Sequence, residues 1–144
     1  MYDKGLKNYQ RNAVSTLQDP QKIVKLLFEA AIKELALARN HFEEPRPRGV
    51  HLGKAIAIVG ELQAGVNLKE GGEAAEFLYG LYGAIIRELS KINGGGEKDR
   101  EVIDRSIRYL SELKKIWVEQ VLGRNNGTSA GSSAQPSPQT AVAG

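Results

Sequence analysis

His41 and His51 are the only imidazoles in the chain, and cysteine is absent. A metal held between bundle helices needs inward glutamates and Glu-x-x-His pairs, and neither histidine has a glutamate three residues before it. The two flank a proline-containing stretch and could approach each other in an interhelical loop, but two imidazoles make an incomplete ligand set. Without a thiol, a nucleophile would have to be Ser, Thr or Lys beside a matched base. Ser15, Ser90, Ser106 and Ser111 stand in no such arrangement. The glycine runs at 71–72 and 94–96 lack the Lys-Ser/Thr and the preceding strand of a phosphate loop. These residues predict a protein that is not an enzyme and carries no metal or cofactor. The chemistry left to it is association through apolar surface.

That surface needs elements to carry it. Four segments repeat apolar residues at helical spacing, and strand patterns are lacking. The first begins at Asp19-Pro20, a capping carboxylate followed by the residue best suited to the first helical position. It runs through Ile23, Leu26, Leu27, Ala30, Ala31, Leu35 and Ala38 to about Phe42, where Pro45 and Pro47 stop it. The second spans roughly Leu52 to Leu68, the third Gly72 to Ile92, and the fourth Asp99 to Gly123. Gly71 and Gly123 suit left-handed helix ends, and Gly72 lets the chain reverse. The predicted fold is all-α, an antiparallel up-down four-helix bundle over residues 19–124. Residues 1–18 form an N-terminal arm. Residues 125–144 are uncharged and rich in Ser, Gly, Ala and Pro, a composition that predicts a disordered tail.

One apolar stripe is enough to seat a bundle helix. Here several helices carry more: Val24, Phe28 and Ile32 on the first, Ile58 on the second, Phe77, Tyr79 and Ile86 on the third, Val102, Tyr109 and Ile116 on the fourth. Second stripes on several helices predict grooves filled by the arm, a second subunit or a partner's amphipathic helix.

Charge points away from nucleic acid. The net charge is +3, but the 20 basic residues are interleaved with 17 acids, the pattern of a solvated outer face. No run approaches the roughly 18 apolar residues of a membrane span, and the first residues lack a secretory apolar core. A cytoplasmic protein without membrane insertion is expected.

In order and spacing, approximately residues 2–121 resemble the flagellin export chaperones of the FliS type. Tyr9 and Val14 lie in the arm and Pro20 opens the first helix. Leu27-Phe28-Glu29-Ala30-Ala31-Ile32 is similar to the family's Leu-Tyr-Asp-Gly-Ala-Ile. Lys54-Ala55-Ile56 and Ile58-Val59-Gly60-Glu61-Leu62 match Lys-Ala-x-x-Ile-Ile-x-Glu-Leu. Then come Asn67-Leu68, Gly71-Gly72-Glu73-x-Ala75, Leu78, Leu81-Tyr82, Asn93, Asp99 and the late Trp117. Phe28 stands where the family has Tyr, Glu29-Ala30 replace Asp-Gly, and Gly94-Gly95-Gly96 lengthens the last connection.

The resemblance implies a four-helix chaperone that binds the C-terminal segment of flagellin, prevents premature polymerisation, and delivers it to the flagellar type III export gate. Mapped here, the implied binding surface is Phe28 and Ile32, Ile58 and Leu62, Tyr79 and Tyr82, with Tyr109 and Ile116 on the last helix. Leu62, Tyr82 and Trp117 also lie on main core stripes. Tyr9 and Val14 are expected to cover the groove when no client is present. The alternative is a self-associating bundle whose extra stripes are buried in a homodimer, by helix exchange through Gly94–Gly96.

Overall fold

A computed structural model describes residues 19–123. Four helices fill it: α1 (Pro20–Asn40), α2 (Pro45–Ala64), α3 (Gly72–Ser90) and α4 (Glu97–Trp117), the last continuing into a π-turn at Val118–Leu122. There is no strand among the described residues. The Asp19 carboxylate accepts from the Gln21 N–H at 3.2 Å, so α1 opens on the expected cap and proline.

The prolines after α1 play a second part. Helix α2 begins at Pro45, well before the expected start at Leu52. Pro45 and Pro47 fall in its first turn, where backbone N–H groups have no intrahelical acceptor, so their missing donors cost nothing. The same helix ends at Ala64, short of Leu68, because Asn67 folds the chain into a turn. Its Oδ1 accepts from the N–H groups of Lys69 and Glu70, both at 3.1 Å.

Two glycine assignments are corrected. Gly71 has a right-handed φ of −84°, and Gly72 is the left-handed residue at +61°. Gly71 is needed for space instead: a Cβ there would run into the Cβ of Ala75 and the carbonyl oxygen of Asn67. Gly123 has φ −64°, because α4 ends by widening, with the Gly123 N–H reaching the carbonyl of Val118.

Contacts between helices establish the antiparallel order. Glu34 of α1 meets His51 of α2, Gln63 of α2 meets Tyr79 of α3, and α1 meets α4 through Arg39–Asp104 and Glu29–Lys114. Between α1 and α4 one number rises as the other falls, and short turns fold α2 back along α1 and α3 back along α2. Helix α1 packs broadly on α2 and α4, α3 packs on α2, and the α3–α4 seam is the thinnest.

The core runs through Phe28, Ala31, Leu35 and Ala38 of α1, Leu52, Ala55, Val59 and Leu62 of α2, Tyr82, Ile85 and Leu89 of α3, and Val102, Ile103 and Leu110 of α4. On α1 the core line is Phe28-Ala31-Leu35-Ala38, so Leu26, expected on the main stripe, is exposed. On α3, Ala75 is buried and the expected Ala74 is exposed; on α4, Val102 is core rather than surplus.

Arg48 closes one end of the bundle. Its buried guanidinium donates to the carbonyls of Phe42 at 2.6 Å and Asn93 at 3.0 Å, just past the C-termini of α1 and α3. A cation there complements the negative ends of both helix dipoles. Arg48 and Arg100 both lie over the Phe42 ring, their guanidinium carbons 5.4 and 4.5 Å from its centroid. The Asp99 carboxylate accepts from the N–H groups of Asn93 and Gly95, each at 3.3 Å. At the opposite end, Trp117 Nε1 donates to the Gln21 carbonyl at 2.8 Å, tying the end of α4 to the first turn of α1.

Candidate protein-binding groove

An α-helix turns about 100° per residue, so the residues that touch one neighbour identify the flank that faces the other. On α4, Asp104 and Lys114 reach α1 through Arg39 and Glu29. Tyr109 and Ile116 lie on the other side of the core line Val102-Ser106-Leu110, on the flank turned to α3. They are 44 % and 50 % exposed. On α3, the Tyr79 carbonyl accepts from Gln63 of α2 at 3.2 Å, and Gly83, one turn on, packs beside the same side chain. Leu78, Leu81 and Ile85 fall on the opposite flank, turned to α4, with Phe77 at its outer edge, 70 % exposed.

Counting down both helices from their connecting loop brings Phe77–Leu81 level with Ser106–Leu110. The two apolar flanks therefore face one another across the thinnest seam of the bundle. Half-buried Leu78, Leu81 and Leu113 form its floor, and Phe77, Tyr109 and Ile116 its rim. Tyr82 lies underneath, its ring 6.4 Å from that of Phe28. Burial pushes the Tyr82 phenol from 10.0 to about 12, because the phenolate would be poorly solvated there.

The expected surface residues are distributed unevenly. Tyr109 and Ile116 line the groove. Phe28, Leu62 and Tyr82 are corrected: all three are buried, because each falls on the core line of its helix. Tyr79 is 41 % exposed but lies on the α2 flank of α3, outside the groove. Ile32 and Ile58 are half-buried, packed against the core on flanks away from the α3–α4 seam. Tyr9 and Val14 fall outside the described residues. Phe77 is the most exposed large apolar residue among those described, and the signal that marked it was its place off the main stripe of α3. Leu26, Val50 and Leu68 are exposed as well; the spacing had put Leu26 on the core stripe, and it did not mark Val50.

The histidines do meet. Their rings stack with centroids 5.9 Å apart, His41 Nδ1 is 2.7 Å from Glu44, and His51 Nδ1 is 2.8 Å from Glu34. They join the C-terminus of α1 to α2, and among the described residues no three metal-ligating side chains gather around an ion-sized space. No helix among them is long and apolar enough to cross a membrane. Exposed Phe77, Tyr109 and Ile116 give the α3–α4 seam an apolar rim.

Comparison with known proteins shows the family of the chain. The family described as "Flagellar protein FliS" matches residues 2–124. The chain is 30 % identical over 119 residues to the flagellar secretion chaperone FliSB of Pseudomonas aeruginosa, covering 79 % of this chain and 93 % of that protein. It is 31 % identical over 119 residues to the flagellar secretion chaperone FliS of Salmonella typhimurium, covering 78 % and 87 %. With the FliS of Vibrio cholerae it shares 28 % identity over 100 residues, 68 % of this chain and 72 % of that one. By the extent of that family match and its four-helix architecture, the chain belongs to the FliS family of flagellar secretion chaperones, a family of chaperones and not of enzymes.

Proposed function

We propose that this protein is a cytoplasmic export chaperone that holds the C-terminal segment of flagellin in the α3–α4 groove and delivers it to the flagellar type III export gate. The observation that carries the reading is the pair of apolar flanks left facing across a thin seam, with Phe77, Tyr109 and Ile116 at the rim. Flagellin's terminal segments are amphipathic and would associate through their apolar faces if uncovered. Laying such a face along the groove removes it from water and prevents premature polymerisation. The ordering entropy of a segment that folds as it binds offsets part of the contact energy, so affinity should come from many distributed contacts.

Residues 1–18 join the bundle at Asp19, beside the Trp117–Gln21 contact and the mouth marked by Ile116. In this reading an arm carrying Tyr9 and Val14 covers the groove and is displaced by client. Deleting residues 1–16 should raise client affinity and the binding of an apolar dye; unchanged values would remove the arm from the account. The same flanks could instead pair in a homodimer, and light scattering without client separates the readings. A monomer that becomes a one-to-one complex supports the chaperone, whereas a dimer that admits no client supports self-association.

A further inference from the structure

Asn93 and Gly94 form an Asn-Gly dipeptide in the exposed connection between α3 and α4. The Asn93 side-chain amide has no hydrogen-bond partner among the described residues. Hydrogen bonds hold the N–H groups around it: Ile92 donates to the Leu89 carbonyl at 3.2 Å, and Asn93 and Gly95 donate to Asp99. In that run the Gly94 N–H alone has no acceptor among the described residues. The carbonyl of the same peptide unit, that of Asn93, accepts from the buried Arg48 guanidinium at 3.0 Å. A cation bound to a peptide oxygen stabilises the anion formed when that peptide loses its proton, because the negative charge spreads onto the oxygen.

We propose that Asn93–Gly94 is a self-modification site at which Asn93 deamidates through attack by the Gly94 nitrogen, with Arg48 stabilising the attacking peptide anion. Hydroxide removes the Gly94 amide proton, and the nitrogen adds to Cγ of Asn93. The new N–Cγ bond closes a five-membered imide, the Cγ–Nδ2 bond breaks, and the leaving nitrogen takes up a proton as ammonia. Water then opens either imide carbonyl, giving aspartate or isoaspartate. One water is consumed and one ammonia released, with no change of oxidation state. Glycine at 94 places no side chain in the way of ring closure. In the isoaspartyl product the former Asn93 carbonyl becomes a free carboxylate facing Arg48, and the chain path between α3 and α4 lengthens by one methylene. Arg48 is a positioning residue here, acting through the peptide it holds.

The test uses the full chain at mildly alkaline pH, with peptide mass mapping and enzymatic methylation of isoaspartate to follow each site. Asn126–Gly127, the other Asn-Gly in the sequence, serves as internal reference. The rate at Asn93 relative to Asn126 should be roughly tenfold or more higher in the folded protein than in urea, the change that a charge-assisted hydrogen bond supports. A ratio no higher in the folded protein than in urea overturns the proposal, and this comparison needs no variant. Arg48→Met, if helical by circular dichroism, should lose the acceleration, and Arg48→Lys should retain part of it. A folded Arg48→Met protein that deamidates at Asn93 as fast as the parent would overturn the role of Arg48.

Discussion

The Phe28 ring sits 6.4 Å from the Tyr82 ring across the core, tilted by 47°, and joins α1 to α3. Both residues are 2 % exposed. Truncating Phe28 to Ala would leave a cavity beneath the groove floor, at a cost of about 3–4 kcal/mol in urea unfolding. Any loss of client binding in that variant should follow its loss of folded protein.

Tyr82 also gives stability a pH dependence. Its folded pKa is raised from 10.0 to about 12, so its contribution is fully present below about pH 10 and is lost as pH rises toward 12. In that window the unfolded chain ionises while the folded one resists. The expected loss is at most about 2 kcal/mol, after allowing for partial solvation. Tyr82→Phe removes the group, so the difference in stability between parent and variant should change across this window and stay flat below it. A parallel alkaline decline in both proteins would contradict the assignment.

The groove rim should behave in the opposite way. Tyr109→Asp and Ile116→Asp place a charge on surface already in contact with water, so stability should change by less than about 1 kcal/mol. Each should weaken binding of a flagellin C-terminal segment by roughly tenfold or more, about 1.4 kcal/mol. Tyr79→Asp, on the other flank of α3, should have a much smaller effect. Calorimetric titration of the three variants measures this difference.

The glycine run between α3 and α4 separates conformational need from simple length. Gly95 has φ +77°, and a Cβ there would come within 2.7 Å of Arg48 Nη1, whereas a Cβ on Gly94 would meet nothing within 4 Å. Gly95→Ala should therefore cost about 1–3 kcal/mol in unfolding free energy and Gly94→Ala less than about 0.5 kcal/mol. Equal effects would show that the tight approach to Arg48 is not what requires glycine.

Helix identity and order were legible because apolar period and turn residues reflect local geometry. Boundaries were less so. Pro45 and Pro47 can stop one helix or start the next, and here they open α2 directly after the short turn that follows α1. At the site, Tyr109 and Ile116 were legible as apolar residues off the core line. Phe28 misled because a surplus stripe and a core stripe have the same periodicity, and only packing of α1 against α3 decides which is inside; Tyr82 and Leu62 already lay on main stripes, and burial follows that periodicity. The thin α3–α4 seam depends on how closely helices approach across the bundle, which no single helix's pattern records.

The most direct measurement is a titration of the full chain with the C-terminal segment of its cognate flagellin, following helicity by circular dichroism and binding by calorimetry, with Tyr109→Asp and Ile116→Asp in parallel. The account predicts saturable binding with a gain of helix, weakened in both variants while their folds persist. Absence of binding and of helix gain would contradict the chaperone reading, and binding unaffected by either substitution would contradict its placement in the α3–α4 groove.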